Sequence, residues 1–389
     1  MATGTHGNFY EFFAGGGMAR AGLGDDWRCR FANDISAKKG DAYRTNWGDD
    51  DLWIGDVFKV TTDQLAGHAD LAWGSFPCQD LSLAGNGEGL SGDRSGAFWG
   101  FWRIIKALNR EGRKPRIVVL ENVYGTLTSH DGRDFEQIVK AVAAEGYVFG
   151  ALVMDAVHFV PQSRPRLFVV GIDADLVVPE SIHTPLPTPA WHPDAVIRAY
   201  SRLPKAMRTS WRWWNPPAPG QRIASLDLIV EQEPQGVIWH TPEHTQNLLA
   251  MMSEVNRRKV MEAQRFGAVK VGTIYRRTRD GVQRAEVRFD GIAGCLRTPA
   301  GGSSRQTIMV VDGPLIRSRL ISPREMARLM GLPETYQLPD RYNDAYHLLG
   351  DGVAVPVVAH LRQHILTPII QANSMAVSGI ESAARRCGA

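Results

Sequence analysis

Short apolar runs alternate with amphipathic stretches along the first part of the chain. Asn8 to Phe13, Cys29 to Ala32, Asp70 to Trp73, Arg116 to Leu120 and Leu167 to Gly171 are brief, largely apolar and bounded by turn residues, so they read as strands. Between them, Ala37 to Asn46, Gly96 to Asn109 and Asp134 to Glu145 repeat apolar residues at helical spacing. This alternation predicts parallel strands with helical crossovers: an α/β, doubly wound, Rossmann-like sheet. After Gly171 the pattern stops. From Val178 to about Pro219 the chain is rich in proline and tryptophan, which predicts irregular structure with aromatic anchors and places a domain boundary at Val178. Regular signals return near Pro323 to Met330, where Ser322 can cap a helix with proline in its first turn and Glu325 three residues on. A last apolar helix is expected from Val355 to about Ile370, followed by a frayed tail over 372–389.

Composition narrows the class. A chain of 389 residues, 44% hydrophobic and 22% charged, has room for two or three domains and a sizeable core. No apolar run approaches the roughly 18 residues that span a bilayer, and Met1 to Phe13 lacks a leader pattern, so a soluble protein retained in the cytoplasm is expected. The four cysteines, Cys29, Cys78, Cys295 and Cys387, are far apart and suggest neither a zinc cage nor a disulfide framework. Net charge is only +3, but Pro185 to Ala300 holds 17 Lys or Arg against 10 Asp or Glu. A localised basic region is the footprint expected of a phosphate-backbone partner, and a solvated surface is the alternative.

Candidate chemistry collects at the ends of the predicted strands. Phe13-Ala14-Gly15-Gly16-Gly17 lies between the first strand and a helix start at Met18, where glycines let backbone approach a ligand. Asp34, with Ile35 beside it, and Asp56, with Val57, follow the next two strands and are placed to bind a ribose hydroxyl or an adenine amino group. Together they describe a nucleoside pocket, although Met18 and Ala19 stand where the dinucleotide fingerprint would have further glycines. Pro77-Cys78-Gln79 follows the strand Asp70 to Trp73 and presents a thiol at the same edge, either as a nucleophile or as an inert buried cysteine. Glu121-Asn122-Val123 adds a carboxylate there, and Gln162-Ser163-Arg164-Pro165-Arg166 adds two guanidinium groups.

In this order and spacing the motifs resemble those of the cytosine-5 DNA methyltransferases, over Asn8 to about Asp173 and again from Gly294 to about Ile370. The segment Ser322 to Pro333 is similar to the one that organises the family's recognition domain. The resemblance implies S-adenosylmethionine as methyl donor, bound by Phe13, Ala14, Gly15, Gly17, Asp34, Ile35, Asp56, Val57, Pro77 and Asp351, and no metal. It implies that Cys78 adds to carbon 6 of cytosine, Glu121 holds ring nitrogen 3 and the amino group, and Arg166 with Arg164 holds oxygen 2. Because a duplex hides the base, the cytosine must be flipped out, and the glycine-rich run Gln79 to Phe98, with Arg94, is expected to close over it.

The family keeps its target-recognition domain where this chain has 178–294, with 295–371 returning to the catalytic domain. Within it, Arg257-Arg258-Lys259, Arg276, Arg277 and Arg279 are candidates for phosphate contacts, and Gln283, Arg284 and Arg288 for base edges. Gln79 and Leu296 join the expected DNA contacts. Two positions depart from the family: Cys295-Leu296 replaces a Thr-Leu pair, and Gly350-Asp351 replaces Gly-Asn, bringing a carboxylate toward the donor's amino-acid end. The resulting expectation is a monomeric enzyme that methylates double-stranded DNA at a short sequence, partnered with a restriction endonuclease or another defence protein and with no membrane association. Methylation of transfer RNA and a silent DNA-binding regulator are the rival readings.

Overall fold

In the computed structural model of the chain, residues 7–77, 96–222, 224–279, 281–298 and 304–374 are described. Two compact units emerge. The first comprises Met1–Met154, Pro165–Ala218 and Val357–Ala389, and the second comprises Asp155–Arg164 and Pro219–Pro356.

The first unit is built on a seven-stranded sheet: β1 (Gly7–Phe12), β2 (Trp27–Asp34), β3 (Leu52–Ile54), β4 (Leu71–Gly74), β5 (Ile117–Val123), β6 (Tyr147–Asp155) and β7 (Pro165–Asp173). The strand order is β3-β2-β1-β4-β5-β7-β6, and β1 to β5 are parallel. Connecting helices include α1 (Met18–Leu23), α2 (Ala37–Trp47), α3 (Ala97–Arg110) and α4 (Arg133–Ala144). On α3, Phe98, Phe101, Trp102, Ile105 and Leu108 fall on one face and are buried, as helical spacing predicts. The wholly parallel sheet expected from the alternation is corrected at one edge, where β7 runs antiparallel to β5. Residues 156–164 between β6 and β7 are too few for the helical crossover a parallel neighbour needs. Strand β6 itself escaped the pattern because it is apolar on both faces and shows no alternation.

The parallel strands all end at one edge of the sheet, with Phe12, Asp34, Gly74 and Val123 at their carboxyl ends, and β7 starts there because Arg166 pairs with Val123. Strand order reverses between β1 and β4, the position where open α/β sheets bind ligands.

The proline- and tryptophan-rich segment packs into the first unit, so the division falls at Pro219 and not at the expected Val178. It carries β8 (His183–Thr184), α5 (Asp194–Arg202), α6 (Lys205–Thr209) and β9 (Trp213–Trp214). The Trp191 and Trp214 indoles donate to Pro216 O (2.7 Å) and Val170 O (3.1 Å), satisfying their N–H groups inside the core.

The second unit contains α7 (Leu226–Ile229), α8 (Pro242–Ala250), α9 (Glu254–Arg265), α10 (Pro323–Leu329) and α11 (Tyr342–Asp351). Its antiparallel sheet has the order β11-β10-β12-β13, from β10 (Lys270–Arg279), β11 (Val282–Arg288), β12 (Thr307–Asp312) and β13 (Leu315–Leu320). Leu248, Met252, Val260, Ile274, Val287 and Met309 form its core. The helix α12 (Val355–Leu361) follows α11, and helical structure continues to Ser374, past the expected tail boundary at 372. The helical stretch Tyr342–Ser374 does contain a window apolar and long enough to cross a membrane, contrary to expectation, but 56% of that window is buried in the protein. Its apolar residues Val358, Leu361, Ile365, Leu366 and Ile369 are fully buried, as in a core helix.

Candidate active site

Phe13 turns the chain out of β1 with φ at 60°, a value that costs a non-glycine residue and marks a site where backbone shape is imposed by its surroundings. Gly15 has φ at 56° and nothing within 4 Å of where a Cβ would stand, so the loop is open on that side. Gly17, at φ 75°, is required for packing as well, because a Cβ there would lie 2.3 Å from Trp47 Nε1. The Trp47 indole donates to Gly16 O at 3.0 Å, holding the loop against α2.

Asp34 braces the same loop. One of its carboxylate oxygens accepts from Gly15 N and the other from Ser36 N, both at 2.8 Å. Ile35 beside it is 74% exposed, an apolar surface standing in solvent at the ligand edge. Asp56 accepts from Phe58 N at 3.0 Å, whereas the Val57 side chain is turned into the core among Phe98 and Phe101. Val57, expected to line the cofactor pocket, therefore contributes packing.

Sequence reasoning missed Glu11. This β1 carboxyl is 1% exposed; one oxygen accepts from Arg20 N at 3.4 Å, and the other is buried with no hydrogen-bond partner. Burial pushes its pKa up to about 8, with the Arg20 guanidinium opposing the shift. The available signal was a carboxylate inside an apolar strand just before a glycine-rich turn. Nearby Cys29 is a poor nucleophile, since burial pushes its thiol up to about 12.

At β5, Glu121 and Arg166 come together, with Glu121 Oε1 3.2 Å from Arg166 Nε and both side chains largely shielded from water. The register of β5 on β7 produces this meeting, by setting Glu121 opposite Phe168 and Val123 opposite Arg166. Asn122 donates to Phe76 O at 3.3 Å and accepts from the Thr126 hydroxyl at 3.1 Å, so β5 also fixes the start of the segment leading through Pro77 toward Cys78. Cys78, Gln79, Arg94 and most of the expected closing loop lie outside the described residues.

Arg164, two residues before Arg166, is placed differently. Within the second unit its guanidinium donates to Leu296 O (2.8 Å), Gly350 O (2.8 Å) and Gly352 O (2.6 Å), and lies 3.3 Å from Cys295 Sγ. Gln162 receives Leu296 N at 3.0 Å and donates to Leu329 O at 2.7 Å. The paired-arginine motif thus joins the two departures, Cys295 and the segment around Asp351, through one buried cation. Leu296 is 1% exposed, so its side chain is packed and not presented to DNA as expected. Asp351 stands exposed in the last turn of α11.

The sequence profile of one family, described as C-5 cytosine-specific DNA methylase, matches residues 7–367. The chain belongs to the C-5 cytosine-specific DNA methylase family. Among relatives of this methylase, the type II methyltransferase M.BsuFI of Bacillus subtilis is 26% identical over 354 residues, covering 90% of this chain and 70% of the relative. The type II methyltransferase M.HhaI of Haemophilus parahaemolyticus is 25% identical over 361 residues, covering 92% and 93% of the two chains. Solved structures share the fold: the Entamoeba histolytica methyltransferase EhMeth (TM-score 0.59, 15% identity, 92% and 96% coverage) and S. pombe Dnmt2 methyltransferase (0.55, 18%, 91% and 96%).

In the second unit of the methylase, Arg277 of β10 stands opposite Arg284 of β11, both exposed, with Glu286 3.5 Å from Arg277. Arg276 is half-buried, and its backbone N donates to the Ser304 hydroxyl at 2.8 Å. Arg288 is paired with Asp290 (Nε to Oδ1, 2.8 Å), and Arg258 with Glu254 at 3.4 Å, so neither cation is presented alone. Lys259 reaches back to Val287 O at 3.2 Å.

Proposed function

We propose that the protein transfers a methyl group from S-adenosylmethionine to carbon 5 of cytosine within a short sequence of double-stranded DNA. The observation that carries this reading is the Glu121–Arg166 pair, set one strand away from the segment that leads to Cys78 and on the same edge as the glycine loop.

The residues at that edge fit the donor. Gly15 leaves open space at the loop, Ile35 offers an apolar face, and the unpartnered Glu11 oxygen beneath the loop suits an ammonium group. Phe13, Ala14, Gly17, Asp34, Asp56 and Pro77 would complete the pocket. When bound, S-adenosylmethionine supplies an electrophilic methyl on a sulfonium.

Cytosine carbon 5 is too weak a nucleophile to take that methyl unaided. In this reading the Cys78 thiolate bonds to carbon 6, which drives electron density into the ring. Glu121 supplies a proton or hydrogen bond at nitrogen 3, where negative charge would otherwise collect. Arg166 holds oxygen 2 while its contact with Glu121 keeps both groups in register, an arrangement prepared before substrate arrives. After methylation, loss of the carbon 5 proton expels Cys78 and restores aromaticity. The base must leave the duplex for any of this, at a cost of a few kcal/mol.

The second unit would supply target recognition. Arg277 and Arg284 are directly opposed like charges on the ribbon, and Glu286, 3.5 Å from Arg277, offsets only one of the two, so a further anion there lowers the repulsion. That favours Arg277 and Arg284 as phosphate or guanine contacts, with Gln283 close by. The naming of the relatives as type II methyltransferases supports a role in restriction-modification; a cognate endonuclease as partner and action as a monomer in the cytoplasm are part of the same proposal.

The test is base-resolution sequencing of methylated cytosines in DNA from a methylation-deficient host expressing the protein or its Cys78→Ser variant. Complete modification of one short motif by the protein, and none by the variant, is expected. An unmodified genome in cells holding folded protein would overturn the reading.

A further inference from the structure

Of the basic excess in the middle of the chain, much lies outside the second unit. Residues 185–218 hold five Lys or Arg against one acid, Asp194, while 219–300 hold twelve against nine. The first group, Arg198, Arg202, Lys205, Arg208 and Arg212, belongs to the first unit and has no part in the proposed chemistry.

Beside α6 is an open cleft of about 590 Å³, whose walls include His183, Tyr200, Arg208, Trp211, Arg212 and Trp213. Val148 at the start of β6 and Ala174 just after β7 also line it. These two sit at the end of the sheet opposite Arg166, since Asp173 N donates to Arg116 O and Ala174 N to Gly146 O. The cleft is therefore separate from the edge that carries Glu121 and the glycine loop.

Its cations are held in place and uncompensated. Arg212 Nη1 donates to Thr209 O (3.1 Å) and Trp211 O (2.9 Å), and Arg208 lies 5.9 Å from the Tyr200 ring centroid. Neither has a carboxylate within 4.0 Å among the described residues. Glu180 also lines the cleft, so its two arginines leave it net positive. His183 is held below its ordinary pKa by burial and by the Arg212 cation, so its imidazole is neutral at pH 7 and offers a hydrogen bond without further charge. Trp211, 5% exposed, has an indole N–H with no hydrogen-bond partner, an uncommon state for a buried donor.

We propose that this cleft binds a phosphate-bearing ligand of nucleotide size. Guanidinium groups suit phosphate oxygens through paired N–H donors, and the half-buried Tyr200 at the wall suits a planar ring, with Trp211 and Trp213 packed into the core behind it. The volume lies in the range of ligand sites, roughly 300 to 1,000 Å³. The phosphate belongs either to a free nucleotide or to a nucleic-acid backbone, and the same groups read both.

The full-length protein would be titrated with AMP, with inorganic phosphate and with a duplex lacking any methylation target, following heat and tryptophan fluorescence. Arg208→Glu and Arg208→Lys are the variants, because Arg208 is exposed and its side chain is not part of the core. AMP binding that Arg208→Glu weakens at least tenfold and Arg208→Lys weakens less, with target methylation unchanged, establishes a free-nucleotide site. Weakening of duplex binding alone establishes the backbone as the source of phosphate. If Arg208→Glu alters binding of none of the three probes, the proposal fails, whether or not the enzyme methylates DNA.

Discussion

Glu121 and Arg166 form a charged pair whose members have separate tasks on one ring, so removing either charge should hurt turnover more than donor binding. We expect Glu121→Gln to lower the single-turnover methylation rate by about 10² to 10³, the scale of losing one prepared electrostatic contact, with S-adenosylmethionine affinity nearly unchanged by calorimetry. Equal losses in both measurements would assign Glu121 to structure. Glu11 permits a prediction in pH. Its folded pKa, about 8, is raised above an unfolded value near 4.5, so the folded protein holds the proton more tightly. The resulting stability is fully present below pH 4.5 and is lost as pH rises from there through about 8, above which both states are deprotonated and the loss is complete. Denaturant titrations of the ligand-free protein should therefore show a decline from pH 5 to pH 9 that Glu11→Gln flattens; an equally steep decline in the variant would show that another group is responsible. Arg164 teaches a different lesson, since a residue type suited to catalysis is committed here to three backbone carbonyls.

At the scale of elements, the start of α10 was readable from its letters. The Ser322 hydroxyl accepts from Glu325 N at 3.1 Å, and Glu325 Oε2 accepts from Ser322 N at 2.7 Å, the reciprocal cap that Ser-Pro-Arg-Glu predicts. The letters did not reveal that Glu325 has a second partner: Arg319 of β13, 2.6 Å away, with both side chains fully buried. Glu325→Ala should thus cost about 3 to 5 kcal/mol, because it strands a buried cation, whereas Ser322→Ala should cost about 1 kcal/mol as a lost cap. Chemical denaturation of the full chain would measure both, and similar small losses would show that Arg319 finds other acceptors. The strand β6 and the reversed direction of β7 were not readable in the same way. A strand buried on both faces carries no period, and direction is set by the length of a connection.

For the whole molecule, the division into units decides what the charges can do. The basic excess expected to belong wholly to a recognition domain is split, with Arg277 and Arg284 on the second unit and the Arg198 to Arg212 group on the first. If the opposed pair on β10 and β11 contacts DNA phosphates, Arg277→Ala with Arg284→Ala should weaken target binding and reduce the slope of log affinity against log salt by about 2. Loss of sequence preference with the slope intact would place the pair on base edges. Five motifs in order were enough, by sequence alone, to indicate the fold class, the family and the edge of the sheet where chemistry gathers. Such signals are local: a glycine turn, a strand end and a helix cap each need only a few neighbouring residues. Tertiary structure alone decided that Val57 and Leu296 turn inward, that Glu11 is buried without a full set of partners, and that Arg164 and Arg166 part company. Each of these depends on segments that meet across large separations in the chain, as Arg164 meets Gly350, and no local pattern of apolar and polar residues encodes which segment will return to satisfy a buried polar group.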